Sequence, residues 1–188
     1  MNSTTQDAAR REDIDLQWVY RLLNFGPLVL LSSSDGQHPN VCSVAWCMPL
    51  SKKPPRFALS LGTGHHTYKN MQKTKILGIN IPTRGLEQLA LYCGHHSGAE
   101  VDKVKEKNIA LHYGRVLKQL PLVSACAAWI ECRYLESLRF ADREISIVEA
   151  VAASTRPDVL NAEHAWNARK YPSLHHAGGE RFLYAREG

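Results

Sequence analysis

The 188-residue sequence has few cysteines, and their spacing is not typical of a disulfide-linked or zinc-binding protein. There are five, which is an odd number, and no two are spaced as Cys-x-x-Cys. Several lie in apolar runs, where a free cysteine packs like a small hydrophobic residue. We therefore expect neither a disulfide framework nor a zinc ribbon, and we expect a reducing, cytoplasmic location.

Long apolar runs and stripes of positive charge are also missing. The longest apolar stretches, residues 27–31 and 123–130, are far too short to span a bilayer, and the N-terminus lacks the apolar core of a signal peptide. The formal net charge is +5, but no run of Lys and Arg is interleaved with aromatic residues. We therefore expect no membrane partner and no nucleic acid, whereas the mildly basic balance suits an anionic small molecule.

The short motifs of several enzyme classes are absent as well. The sequence contains no GxSxG, no Walker-type GK[ST], no GxGxxG and no HExxH. Three adjacent histidine pairs occur: His65-His66, His95-His96 and His175-His176. Neighbouring residues on a strand point to opposite faces, so a pair of this kind rarely supplies two ligands to one metal. We predict no metal site and no catalytic nucleophile or base.

The apolar pattern that is present predicts a mainly β chain with short peripheral helices. Strands are predicted over residues 28–33, 40–46, 56–61, 75–81, 125–139 and 145–152, and helices over 14–23, 67–73, 86–92, 99–107 and 162–169. Residues 49–55 are predicted to be a loop because their prolines cannot lie in a central strand. Residues 1–13 are polar and predicted to be a disordered tail, which leaves 14–188 as one domain.

The links between the predicted strands favour an antiparallel arrangement. Asp35-Gly36 is a strong hairpin signal between the first two strands. There is no regular alternation of strands and helices, which argues against a doubly wound parallel sheet. The pattern predicts an antiparallel barrel with helices packed outside.

Residues 56–70 form the first candidate site. The predicted strand ends at Gly62 and Gly64, and the next helix is predicted to start at Thr67. A glycine turn before a helix start lets the backbone approach an anion, and the free amides of the first helical turn point at it. This predicts a site for a phosphate-bearing cofactor; the alternative is an ordinary surface loop before a capped helix.

Two further stretches are candidates. Ser43 and Ala45 are small and leave the strand over residues 40–46 open for a flat ligand; the alternative is an ordinary hairpin strand. Ser97 is expected to cap the helix over residues 99–107 with Glu100 as its capping-box partner. Lys103 on that helix is a functional candidate if an anionic ligand lies nearby.

Together these pieces resemble the flavin reductase-like, FMN-binding split-barrel family, which includes flavoredoxin-like proteins. The matching segments run in order along nearly the whole chain. They are Gly26-Pro27-Leu28-Val29-Leu30-Leu31, His38-Pro39-Asn40 with Ser43-Val44-Ala45-Trp46, Lys53-Pro54-Pro55-Arg56 with Leu59-Ser60-Leu61, Thr67-Tyr68-Lys69-Asn70, Gly78-Ile79-Asn80-Ile81-Pro82, Ser97-Gly98 with Val101-Asp102-Lys103, and Leu174-His175 with Gly178-Gly179 and Tyr184. Each segment is short, and their order and spacing carry the resemblance.

The resemblance implies a mainly β fold with peripheral helices: a six-stranded antiparallel split β-barrel that dimerises and binds FMN near the subunit interface. The family's flavin-contacting positions fall on Asn40, Ser43, Val44, Ala45, Trp46, Ser60, Gly62, Thr67, Asn80, Ser97, Lys103 and His175. In this assignment Ser60, Gly62 and Thr67 surround the phosphate arm. The chain departs from the family at Asp142-Arg143, where the family often has Asp-His, so a guanidinium replaces an imidazole.

The implied function is that of an FMN-dependent oxidoreductase. Reduced nicotinamide, NADH or NADPH, would pass hydride through FMN to a flavin, oxygen or a protein acceptor. One alternative is a flavoredoxin-like electron carrier that has no nicotinamide site. Another is a split-barrel binding module that has lost the flavin and binds a different anion.

Overall fold

The computed structural model describes residue 15 and residues 26–185, and the structural statements below concern these residues. The predicted tail over residues 1–13 lies outside the described residues. The predicted helix over 14–23 does too, apart from Asp15.

Within the described residues the chain forms eleven strands and three helices. In order they are β1 (Val29–Ser34), β2 (Pro39–Val44), β3 (Cys47–Lys52), β4 (Pro55–Gly62), α1 (His66–Thr74), β5 (Ile76–Ile81), α2 (Glu87–His95), α3 (Lys103–Glu106), β6 (Leu111–Tyr113), β7 (Pro121–Val123), β8 (Ala128–Phe140), β9 (Arg143–Thr155), β10 (Leu174–Gly178) and β11 (Arg181–Tyr184). The six predicted strands are all present, with bounds shifted by a few residues.

Seven strands form one antiparallel sheet in the order β2-β1-β5-β8-β9-β4-β3. The strand count in the sheet is therefore seven, and the prediction of six is wrong by one strand. The additional strand is β3, which covers most of the segment predicted to be a loop. Its Pro49 is tolerated because β3 lies at an edge of the sheet, where one side of the backbone needs no partner.

The sheet curls so that its two outer strands lie beside each other. β2 and β3 stand at opposite ends of the strand order, yet only Ala45 and Trp46 separate them in the chain. Two residues cannot span seven strands spaced about 4.8 Å apart, so the edges must meet at this link. The link is held against the barrel by a hydrogen bond from Ser60 N to Trp46 O of 2.9 Å. Because β2 and β3 do not pair with each other, the barrel stays split at Ala45 and Trp46.

Both faces of the central strands are buried, as the continuous apolar run of β1 predicts. Val29 and Leu31 point to one apolar cluster together with Leu59 and Met71. Leu30 points to a second cluster, which is covered by α2, residues 109–126 and the β10–β11 hairpin. α1 packs on β1 and β2, and α2 and α3 pack on β2. The three helices therefore surround the strand that leads into the split.

Two predicted helices are corrected by the structure. The helix predicted over 99–107 is reduced to α3, and its N-cap is Asp102, whose carboxylate accepts from Lys105 N at 3.0 Å. Ser97 does not cap it, because its hydroxyl accepts from Ala99 N in a preceding turn at 3.2 Å. Residues 162–169 form turns instead of a helix, and Trp166 in this segment forms an isolated β-bridge with Leu160.

Candidate functional site

A polar cleft of about 330 Å³ lies beside the split of the barrel. It is bounded by β2, by the start of α1 and by residues 94–103. The lining residues are Asn40, Cys42, Ser43, Gly64, His65, His66, Thr67, Gly94, His95, His96, Ser97, Gly98 and Lys103. Five of the residues predicted to bind the cofactor are among them: Asn40, Ser43, Thr67, Ser97 and Lys103. Residues from distant parts of the sequence thus meet in one cleft.

Asn40 presents an unpartnered polar atom in this cleft. Its side chain is 4% exposed, and its Nδ2 donates to Thr67 Oγ1 at 2.8 Å. Its Oδ1 is buried without a hydrogen-bond partner among the described residues. A buried polar atom left in this state costs about 1–3 kcal/mol. Because the Thr67 hydroxyl can donate or accept, the Asn40 amide can offer either its oxygen or its nitrogen to a ligand.

Lys103 is a buried cation in the same cleft. Lys103 is 3% exposed. Its Nζ donates to two carbonyl oxygens at the C-terminal end of α2, those of Cys93 at 3.2 Å and His96 at 2.9 Å. An ammonium carries three donors, so one remains for a ligand. Burial lowers the pKa of Lys103. Within residues 26–185 no carboxylate forms an ion pair with it, so an anionic ligand would supply the missing negative charge.

The rest of the lining is also suited to an anion. In the part of the chain that the structure describes, no Asp or Glu belongs to it, and it includes four histidines, of which His65 is the N-cap of α1. No side chain caps α1, so its first-turn amides are available to a ligand. Partial burial lowers the pKa of His65, and the charges of Arg143 and Lys103 lower it further. The lowered pKa favours the neutral form of His65, and Lys103 contributes an ammonium group to the cleft.

A second cavity, of about 400 Å³, lies on the other side of the Ala45–Trp46 link and is mainly apolar. Its lining residues are Gly26, Ala45, Trp46, Cys47, Met48, Ala58, Ser60 and Ile145. Three of the predicted cofactor-binding residues, Ala45, Trp46 and Ser60, lie here and not in the polar cleft. Both cavities fall in the range of about 300–1,000 Å³ that is usual for small-molecule sites.

Arg143 contacts residues of the apolar cavity and acts electrostatically on residues of the polar cleft. Its Nε donates to Ser60 Oγ at 3.2 Å and its Nη2 to Ser60 O at 2.8 Å. Its guanidinium carbon lies 4.5 Å from the centre of the Trp46 ring, and its charge acts on His65 and Cys42 in the polar cleft. We did not select Arg143 as a site residue from the sequence, although its departure from the family pattern marked the position.

The remaining predicted residues lie apart from the polar cleft. Val44 points into the barrel core. Asn80 is fully buried; its Nδ2 donates to Leu30 O at 2.7 Å and its Oδ1 accepts from Val123 N at 2.8 Å. Gly62 leaves room for the His65 ring, whose Nε2 would lie 2.9 Å from an added Cβ. His175 lies on β10 and interacts with Ser173 Oγ at 3.3 Å.

Sequence reasoning also missed part of the cleft lining. Cys42, which precedes Ser43 on β2, also lines the cleft. Burial is the main cause that raises its pKa, so it is a neutral thiol at pH 7 and not a nucleophile. Gly98 packs so closely on Asn40 that an added Cβ would collide with Asn40 Oδ1. The histidine pairs at 65–66 and 95–96 were discounted as metal ligands, and their convergence on one cleft was not foreseen.

Among the described residues, no three His, Cys, Asp or Glu side chains cluster in a way that could hold a metal ion. Over the same residues, no helix has both the length and the apolar character needed to cross a membrane.

Comparisons with known proteins show the family. Residues 23–175 match the model of the flavin reductase like domain family. The Uncharacterized protein YddH of Escherichia coli (strain K12) is 31% identical over 175 residues, which are 90% of this chain and 92% of that protein.

Solved structures show the same fold. Flavoredoxin from Methanosarcina acetivorans superposes with a TM-score of 0.82 at 22% identity and covers 96% of this chain and 94% of its own. An FMN-binding domain of a flavin reductases-like enzyme from Shewanella baltica OS155 superposes with a TM-score of 0.77 at 27% identity. The match covers 93% of this chain and 94% of that domain's chain. The predicted mainly β split-barrel fold is confirmed.

Proposed function

The chain belongs to the flavin reductase like domain family, and on that premise we propose that it binds FMN at the split of its barrel and acts as an oxidoreductase. The observation that carries the proposal is the pairing of two buried groups in a cleft whose described lining residues include no acid. Asn40 Oδ1 has no hydrogen-bond partner in the described part of the chain, and the buried Lys103 forms no ion pair there. An anionic ligand with hydrogen-bonding groups would satisfy both.

We place the cofactor in the polar cleft and over the strand beside it, so that the apolar cavity adjoins the ring. We assign the phosphate to the polar cleft, where the α1 amides, Thr67 and Lys103 offer donors and positive charge. Charge-assisted hydrogen bonds of this kind contribute about 1.5–3 kcal/mol each. We assign the flat ring to the strand over residues 43–46, where small side chains leave the backbone accessible. Ser60, which the resemblance places near the phosphate arm, is instead assigned beside the ring, because it lines the apolar cavity that adjoins the ring.

When bound, FMN supplies the hydride and electron transfer. The chain's own residues bind and orient it: Asn40 and Thr67 as one hydrogen-bonded pair, Lys103 as the countercharge, and Trp46 as an apolar border. We propose NADH or NADPH as the electron donor, and a flavin, oxygen or a protein as the acceptor. The cytoplasmic location and the single domain over residues 14–188 remain predictions.

We further propose a homodimer that forms through the outer face of the sheet. Met48, Leu138 and Phe140 are 57%, 55% and 56% exposed. Phe140 pairs with Arg143 and Leu138 with Ile145, and paired residues share a face of the sheet, so these apolar side chains lie on the face that carries the apolar cavity. Apolar patches of this kind mark interaction surfaces. Because Met48 also lines the cavity, a second copy would border the flavin site.

The test of FMN binding is a titration of flavin-free protein, followed by flavin fluorescence and visible absorbance. We expect the wild type to bind FMN and Lys103→Met to bind it at least tenfold more weakly. Lys105→Met, an exposed lysine on the same helix, is the matched control and should bind like the wild type. A wild type that binds no FMN would contradict the proposal, and an unchanged affinity of Lys103→Met would show that Lys103 only caps α2.

The electron donor is tested separately by stopped-flow mixing of the FMN-loaded protein with NADH or NADPH. Loss of the oxidised flavin absorbance near neutral pH is the expected result. If neither NADH nor NADPH bleaches the flavin, the protein is an electron carrier without a nicotinamide site. The proposal that a reduced nicotinamide is the electron donor would then be wrong.

A further inference from the structure

Two residues that line the apolar cavity beside the Ala45–Trp46 link, Trp46 and Ser60, contact the cation of Arg143. FMN binding in the polar cleft does not explain that arrangement. Among the described residues the lining of the cavity is formed by apolar groups with a single side-chain hydroxyl, that of Ser60. Trp46 is 40% exposed, and it lines the cavity. A cavity of this composition favours a flat, apolar molecule.

Arg143 holds its guanidinium in a defined position beside Trp46 and Ser60. Two of its N–H groups are used by the hydroxyl and the carbonyl of Ser60, and the guanidinium lies over the Trp46 ring. A guanidinium has five N–H donors, so the others have no hydrogen-bond partner among the described residues. These donors form a fork that matches a carboxylate.

No carboxylate in the described part of the chain neutralises Arg143. The neighbouring Glu144 is buried and pairs with Arg139 at 3.1 Å. Since successive residues of a strand point to opposite faces, Glu144 on β9 points away from the face that carries Arg143. Register supports the placement: Arg143 pairs with Gly62 and Ile145 with Ser60, so Arg143 and Ile145 both lie on the cavity side of the sheet.

We propose that this cavity binds an aromatic carboxylate, with the ring against Trp46 and Ile145 and the carboxylate on Arg143. The functional meaning of this inference rests on the proposed function, because a ligand here would be the second substrate of the FMN-dependent reaction. The binding itself depends only on Trp46, Arg143 and the apolar lining. It can therefore be measured with and without FMN.

The experiment is a calorimetric titration of the FMN-loaded protein with benzoate and with benzamide, which has the same shape and no charge. We expect benzoate to bind at least tenfold more tightly than benzamide. Arg143→Gln should lower benzoate affinity at least tenfold and change benzamide affinity less than twofold. Arg139→Gln removes the same charge from the neighbouring strand, and it should bind both compounds like the wild type.

Several results would overturn the proposal. These are equal affinities for benzoate and benzamide in the wild type, an equal loss in Arg139→Gln, or displacement of benzoate by FMN, which would show that the cavity holds the flavin ring itself. If Arg143→Gln does not fold, Arg143→Lys replaces it, because this variant keeps the positive charge. Arg143→Lys should prefer benzoate over benzamide, but less strongly than the wild type does. Loss of that preference would contradict the proposal. A wild type that binds benzoate but no FMN would refute the proposed function and leave this site supported.

Discussion

The side-chain amide of Asn40 donates a 2.8 Å hydrogen bond to the hydroxyl of Thr67, which joins β2 to the first turn of α1 across the polar cleft. Both residues are buried, at 4% and 1% exposure. Residues 27 positions apart thus form one unit that faces the proposed phosphate site. The hydrogen bond orients the Asn40 amide, whose Oδ1 has no hydrogen-bond partner among the described residues. The packing of α1 on β2 therefore positions a group that a ligand can contact.

Thr67→Val should weaken FMN binding about tenfold, which corresponds to about 1.4 kcal/mol, without unfolding the protein. The substitution keeps the side-chain shape and removes the hydroxyl that holds Asn40. Thr74→Val is the matched control, because the Thr74 hydroxyl donates to Asn70 O at 3.0 Å at the far end of the same helix. FMN titration and thermal unfolding measure the two effects, and equal FMN affinities in both variants would contradict the assignment.

Gly98→Ala should destabilise the protein by about 1–3 kcal/mol because the new Cβ collides with Asn40 Oδ1. Most of this cost should disappear in the Asn40→Gly background, where the colliding side chain is absent. Urea unfolding of the wild type, both single variants and the double variant gives the coupling energy. A coupling energy near zero would show that these residues do not pack together as described.

The protonated fraction of His65 should increase when a phosphate-bearing ligand binds. Its pKa lies below the ordinary value of 6.5 because of partial burial and the charges of Arg143 and Lys103. Negative charge in the cleft offsets those charges and raises the pKa of His65, so the FMN-bound protein holds more protons than the free protein. The affinity for FMN therefore increases as the pH falls.

The measurement is calorimetry at pH 6.5 in two buffers with different ionisation enthalpies. The wild type should take up more protons on FMN binding than His65→Gln does. Riboflavin, which has no phosphate, should show no such difference. If the two proteins differ as much with riboflavin as with FMN, the phosphate does not lie near His65.

Leu138→Glu should weaken the proposed dimer, since it places a charge on the exposed apolar face of the sheet. Leu160→Glu is the control, because Leu160 is a similarly exposed leucine, at 43%, in a loop outside that face. Sedimentation equilibrium should show a dimeric wild type and control and a largely monomeric Leu138→Glu. A wild type that is monomeric while binding FMN fully would refute an interface next to the flavin site.

The sequence alone was sufficient for the parts of the fold that depend on local chemistry. Alternating and continuous apolar residues located the six predicted strands, and Asp35-Gly36 located the β1–β2 hairpin, since side-chain periodicity and turn geometry are properties of adjacent residues. Local signals failed where they were weak: β3 forms despite Pro49 because it pairs with β4 at an edge, and residues 162–169 do not form a helix.

The tertiary structure decided how the candidate residues group into sites. Ser60 and Thr67 are close in the sequence, yet the curl of the sheet places one in the apolar cavity and the other in the polar cleft. Asn80 is a plausible ligand by its type, but its amide is used within the core by Leu30 and Val123. Arg143 reaches Ser60 across 83 positions. Periodicity carries no information on such long-range contacts, because they depend on which strands pair and on where the barrel stays open.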